Sequence, residues 1–342
     1  MNKVFFQNDY GEGAHPQVMQ RLMETNMEHT CGYGLDEYSL KAEQVILSQV
    51  KNPNAQVHMM TGGTSANVIA LSAFMRPYEA VICAATGHIN VHETGAVEAS
   101  GHKVLACESR GGKALPEGVR KVCRLHMDEH MVHLRMLYIS QSTEIGTAYT
   151  LEELKALRAV CDECNLLLYI DGARLGSALA SKGCDVTLED LGRLADAFYI
   201  GGTKNGLLFG EAMVICNPAL QPCFRYMIKN RGGMMAKGRL CGVMFLTAFE
   251  HGDYFKWAAH ANAMSDVIRE AMERAGIAQF VKTTTNQVFP VLTKAQRDAL
   301  AEEFAFERWE DLDEETCVIR FVTSWATTLE DVRRLASALE AL

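Results

Sequence analysis

The chain has 342 residues, with 33 Lys+Arg against 42 Asp+Glu and a formal net charge of −9 at pH 7. That balance argues against a nucleic-acid-binding surface, so any phosphate site must be made locally from backbone amides and a few basic side chains. With 48% hydrophobic and 22% charged residues, the composition is that of an ordinary globular protein with room for about two domains.

No apolar run approaches the roughly 18 residues of a membrane span. The first residues, MNKVFFQNDY, contain no apolar h-region, which predicts no signal peptide. Eleven cysteines, an odd number without a framework, predict reduced thiols in a cytoplasmic protein. Cys161 and Cys164 form a C-x-x-C at the end of an amphipathic helix, with no second pair or thioredoxin context, and read as a buried helix face.

In chain order, QNDYGEG at 7–13 is a polar glycine-rich segment before a helix whose first turn holds Pro16. CGYGLDE at 31–37 is a second such loop, carrying Tyr33, and a helix over 39–50 follows. Two ordered-looking loops so early suggest parts of a binding site. A strand at 56–60 ends in TGGTSAN, and a helix is predicted over 67–75. Strand, glycine turn and helix start form a geometry that holds phosphate on backbone N–H groups. Thr64 and Ser65 can add hydroxyl donors; an ordinary capped helix start is the alternative. The sequence is neither G-x-G-x-x-G nor a P-loop, which disfavours a dinucleotide or nucleoside triphosphate.

A strand at 80–84 leads to His88, and a helix is predicted over 89–99. His88 and His92 lie four apart and face one side, so His88 can stack on an aromatic cofactor or serve as a half-buried cap. Residues 116–133 read as mostly helical, with His126, His130 and His133 on one face. They lack the H-E-x-x-H order, read as a solvated face, and predict no metal site. A strand at 136–139 runs into SQSTEIG, which carries Gln141.

Helix 151–164 precedes NLLLYIDGARLG, whose apolar run 166–170 has the signature of a central parallel strand ending on Asp171. One β-α-β unit later comes YIGGTKNGLLFG, with Lys204 in a glycine turn after another apolar run. Alone, that turn is either a surface loop or a desolvated nucleophile. Together, Asp171 and Lys204 sit at carboxyl ends of parallel strands, where open α/β sheets bind ligands. A lysine that forms a Schiff base and a carboxylate that pairs with a ring nitrogen are what pyridoxal phosphate (PLP) requires. Residues 208–215 are predicted to double back as a further strand. Arg225, Lys229, Arg231, Lys237 and Arg239 then form a basic stretch that can reach an anion, also across a dimer interface. The pattern divides the chain into a large domain, 1–252, and a smaller one, 253–342. The smaller part carries strands at 287–292 and 316–323 and helices at 254–275, 294–304 and 329–342.

Asn8-Asp9-Tyr10, YGLDEYS at 33–39, TGGTSAN at 61–67, HINVHETGA at 88–96, DGAR at 171–174, GGTKNG at 201–206 and IRFVTSWATT at 319–328 form an ordered set across nearly the whole chain. That set resembles the low-specificity L-threonine aldolase family, close to its phenylserine aldolase branch. The resemblance implies an α/β, aspartate-aminotransferase-like (fold type I) enzyme, with a mostly parallel sheet in the large domain and a smaller α+β C-terminal domain. It implies PLP on Lys204, Asp171 at the ring nitrogen, His88 on the ring face, and Gly62, Gly63 and Thr64 at the phosphate. Arg174 is implied near the ring oxygen and substrate. Arg320 and Asn8 are implied at the substrate carboxylate, and Lys237 in a neighbour's site, in a homodimer or homotetramer with shared sites. Three positions depart from the family pattern: Asn8 replaces serine, His92 replaces tyrosine, and Gln141 stands where a histidine near the substrate hydroxyl is usual. The implied reaction cleaves an L-β-hydroxy amino acid to glycine and an aldehyde, with a histidine, His88 first, as base, directly or through a water held by Gln141. β-Elimination or transamination on the same scaffold is the alternative, and a non-catalytic protein binding a phosphorylated metabolite is the other class.

Overall fold

A computed structural model describes residues 3–342; Met1 and Asn2, which open the predicted large domain, lie outside the described residues. Seven strands form one sheet in the order Gln56–Met60, Glu211–Ile215, Ala197–Gly201, Leu167–Asp171, His133–Ser140, Glu79–Ala84, Lys103–Cys107. The last five are mutually parallel. Glu211–Ile215 is antiparallel to both its neighbours, which is the doubling back expected after Lys204.

The central strands Leu167–Asp171 and Ala197–Gly201 are buried along their whole length because both faces are covered. Ile139, Ile170 and Ile200 pack on one side with helices Glu37–Val50, Leu151–Glu163 and Arg239–Glu250. Tyr138, Tyr169 and Tyr199 pack on the other with Gly63–Phe74 and Phe224–Asn230. Strand alternation explains the split. Three neighbouring strands end YIS, YID and YIG, so each sends its tyrosine to the same face two residues before its end.

Several boundaries differ from the sequence expectation. The helix expected at 67–75 spans Gly63–Phe74, so its first turn begins on the glycines themselves. The helix expected at 89–99 is two short turns, His88–Val91 and Ala96–Ala99, broken by positive φ at Thr94 and Gly95. The helix from Pro116 stops at Leu125, and His133 begins a strand, so His126, His130 and His133 share no helical face. The polar run between them has no apolar stripe to bury.

A second sheet centres on Thr316–Val322, which pairs antiparallel with Gln287–Val288, Val291–Thr293 and Glu307–Asp311. Helices Asp253–Arg274 and Leu329–Glu340 pack on it through Ile268, Met272, Leu335 and Leu339. The Glu307–Asp311 strand was not legible: ERWED is mostly charged, as a half-exposed strand can be. Val4 and Phe6 pack in the same core, and Val4–Phe5 pairs in parallel with Phe304–Ala305, so the chain's start is stitched to its C-terminal layer. No helix among the described residues is long and apolar enough to cross a membrane. All eleven cysteines are free thiols, and Cys161 lies buried against the core as expected.

Candidate active site

A cleft of about 460 Å³ opens at the carboxyl ends of the parallel strands. Gly62–Thr64, His88, His92, Asp171, Arg174 and Lys204 all line it. The sequence therefore scattered over 140 residues most of what the fold brings to one place.

The approach of Asp171 to the Lys204 turn depends on two glycines. A Cβ on Gly172 would stand 1.8 Å from the Tyr199 carbonyl oxygen, and one on Gly201 would stand 2.3 Å from that of Ala173. Only bare backbone lets the two strand ends touch. The Lys204 amine lies 5.9 Å from the centre of the Tyr10 ring. Enclosure and the Arg174 charge lower its pKa, the direction that frees an amine to act as a nucleophile.

Asp171 is buried and accepts four hydrogen bonds. Tyr138 Oη (2.6 Å) and Asn67 Nδ2 (3.0 Å) donate to Oδ2; Tyr199 Oη (2.6 Å) and the Ala173 amide (2.9 Å) donate to Oδ1. Burial alone would raise its pKa, but His88 and these side-chain donors hold it below the ordinary carboxylate value. Tyr169 Oη donates to Asn67 Oδ1 (3.1 Å), so all three tyrosines of the strand-end pattern serve this carboxylate or its Asn67 donor. Sequence reading missed them, although the repeated Tyr-Ile before each strand end was visible.

His88 lines the cleft, its ring centre 5.5 Å from that of His92. Its Nδ1 is 2.9 Å from Glu93 Oε1, and its amide donates to Glu144 Oε1 (3.0 Å). Burial, with the charges of His88 and Arg320, lowers the His92 pKa. Arg174 makes a two-pronged pair with Asp9, at 2.7 and 3.0 Å, and Asn286 Nδ2 also donates to Asp9 (2.9 Å). Burial would raise the Asp9 pKa, but Arg174 and Lys204 hold it down. Glu211, at the start of the antiparallel strand, also faces the cleft. It accepts from the Gly202 amide (2.9 Å) and Thr203 Oγ1 (2.7 Å). Burial pushes its pKa up to about 7.

Five expected residues lie elsewhere. Gln141 is fully buried and spends its amide on Tyr149, donating to its carbonyl (3.0 Å) and accepting from its N–H (2.8 Å). It is not among the residues lining the cleft, and that expectation is corrected: Ser140, Ser142 and Glu144 line this side instead. Asn8 accepts from the Tyr10 amide (3.0 Å) and leaves the cleft wall to Tyr10. Tyr33 is half exposed beneath the Lys229 amine, and its amide donates to the carbonyl of Ala236, next to exposed Lys237. Both therefore sit on an outer face. Arg320 is behind His92, held by Gln287 (3.1 Å) and Glu307 and covered by the Trp309 ring at 5.3 Å. Burial and the Arg174 charge lower its pKa, and its Nε is buried without a partner among the described residues.

These residues fit PLP. The helix Gly63–Phe74 has no side-chain cap, so its first N–H groups are left for an anion. A Cβ on Gly62 would meet nothing within 4 Å, which leaves room above that helix end. Asp171, held anionic, would accept from a ring N–H. Lys204 supplies the amine. Fold and site together define an α/β enzyme of the aspartate-aminotransferase-like class with a PLP site.

The sequence model of the β-eliminating lyase family matches residues 10–295. A low-specificity L-threonine aldolase of Pseudomonas aeruginosa is 32% identical over 97% of this chain and 95% of its own length. Another, from a second Pseudomonas strain, is 31% identical over 98% and 97%. A solved threonine aldolase structure from Leishmania major superposes with a TM-score of 0.97 at 41% identity, covering 99% of each chain. An aspartate aminotransferase of Thermus thermophilus, at 13% identity and a TM-score of 0.72, shares the fold. The chain belongs to the low-specificity L-threonine aldolase family, within the β-eliminating lyases, and is a PLP-dependent lyase.

Proposed function

We propose that this enzyme cleaves L-threonine or related L-β-hydroxy amino acids to glycine and an aldehyde, with Lys204 holding the cofactor covalently. The observation that carries the reading is one cleft holding a lysine of lowered pKa and an anionic, four-fold hydrogen-bonded aspartate, in a chain whose relatives bear the threonine aldolase name. Bound PLP supplies an electron sink for the bond that breaks.

The chain's own groups do the rest. Gly62, Gly63 and Thr64 would hold the phosphate, Asp171 would keep the ring nitrogen protonated, and Arg174, braced by Asp9, would serve the ring oxygen and the substrate. Arg320 offers its planar fork to the substrate carboxylate, which orients the Cα–Cβ bond. Asn8 would join that grip only by turning from the Tyr10 amide that now holds it. Taking the carboxylate requires Glu307 to yield its place, and the unpartnered Nε already marks unfilled donor capacity. The substrate hydroxyl proton passes to a histidine, His88 first with His92 beside it. The Cα–Cβ bond breaks, the aldehyde leaves, and a proton returned to Cα gives glycine.

The chain divides in this reading into a PLP-binding part, 1–252, and a smaller part, 253–342. The enzyme is cytoplasmic, where its thiols stay reduced, and assembles as a homodimer or homotetramer. Tyr33 and Lys237, on the outer face, then serve a neighbour's site. The family's name favours one competing reaction, β-elimination. Product analysis with L-threonine, L-serine and L-phenylserine separates the two: an aldehyde and glycine support cleavage, whereas ammonia and a 2-oxo acid from L-threonine overturn it.

A further inference from the structure

We infer that Glu93 is a positioning residue that fixes the tautomer of His88, so that Nε2 presents its lone pair to the cleft. This rests on the reading of His88 as the base.

Glu93 was not singled out in the sequence, yet its side chain is fully buried beside the cleft. Its Oε1 lies 2.9 Å from His88 Nδ1 and 2.8 Å from Asn67 Nδ2. The orientation of Asn67 is set independently. Its Oδ1 accepts from Tyr169 Oη, and its Nδ2 also donates to Asp171. An amide nitrogen can only donate, so Glu93 Oε1 is an acceptor at that contact. An oxygen accepting from Asn67 also accepts from His88, which places the imidazole proton on Nδ1. In a neutral imidazole the other nitrogen then carries the lone pair.

The arrangement has the logic of a carboxylate–histidine pair. The carboxylate holds the ring in one tautomer and one orientation, and faces the positive charge that forms when Nε2 takes a proton. Glu93 Oε2 is buried with no partner among the described residues, so one oxygen serves both contacts. The cost of burying an under-satisfied carboxylate is difficult to account for by packing alone. Through Asn67, the same oxygen is one residue away from Asp171. The ring-nitrogen carboxylate and the base carboxylate are therefore bridged by a single amide.

The test is nitrogen-15 NMR of the histidine-labelled holoenzyme, with the His88 signals assigned by their loss in His88→Phe. The wild type is expected to show a protonated Nδ1 and an unprotonated Nε2. Glu93→Gln keeps an accepting oxygen and loses the charge; it should retain the tautomer and lower kcat about 10-fold. Glu93→Ala removes both; Nε2–H should appear, and kcat should fall by roughly 10²–10⁴ with KM little changed. An Nε2–H tautomer in the wild type, or an unchanged tautomer in Glu93→Ala, overturns the inference whatever the activities are. Near wild-type kcat in His88→Phe, with the tautomer shift still present in Glu93→Ala, instead overturns the reading of His88 as base. If the alanine variant does not fold, the wild-type tautomer and the glutamine variant still decide.

Discussion

Lys204 and Asp171 are useful to each other because the protein treats their charges oppositely. Enclosure destabilises the lysine's charge, while four donors stabilise the aspartate's. Borohydride reduction of the holoenzyme followed by peptide mapping is expected to place the pyridoxyl label on Lys204; a label on another lysine contradicts the assignment. Glu211 gives a pH signature of its own. Its pKa rises from 4.5 to about 7 on folding, so the folded chain holds that proton more tightly than the unfolded one. The stability it contributes is fully present below about 4.5 and is lost as pH climbs through about 7. Glu211→Gln has no such proton to lose. Its melting temperature relative to wild type should therefore be higher at pH 8 than at pH 5.5; a difference independent of pH would contradict a buried, titrating Glu211.

At the scale of elements, the site depends on strand ends that touch. In Gly172→Ala the new Cβ would lie 1.8 Å from the Tyr199 carbonyl oxygen, a backbone atom that no side-chain rotation can move aside. The strand ends must part, at an expected cost of at least about 2 kcal/mol in urea unfolding, with loss of cofactor affinity. Stability within about 0.5 kcal/mol of wild type would mean the contact is not tight.

The elements also show what was legible. Apolar runs bounded by glycines gave the parallel strands and put Asp171 and Lys204 at their ends. The phosphate helix was placed four residues late, because glycine is a poor helix former and the helix is capped by Gly62 and begins on Gly63. Glu93 and Asp9 were hidden because a buried carboxylate is indistinguishable in sequence from a solvated one; only the partners, Asn67 with His88 and Arg174, reveal it. Gln141 was misread because its position in the family pattern said nothing of its rotamer, which turns to the Tyr149 backbone.

For the whole molecule, the N-terminal strand tied to Phe304–Ala305 and the Asp9–Arg174 pair join the beginning of the chain to both sheets. Shared sites would show in mixing experiments. Lys237→Ala and Lys204→Ala enzymes, each weak alone, should regain activity when dissociated and reassembled together, because some hybrid sites then carry both residues. No recovery would contradict a role for Lys237 in a neighbour's site.

The most direct measurement is carbon-13 NMR of the holoenzyme with uniformly labelled L-threonine. Retro-aldol cleavage predicts labelled glycine and acetaldehyde in equal amounts, abolished in Lys204→Ala. Labelled 2-oxobutanoate with ammonia, or turnover that survives in Lys204→Ala, would contradict it.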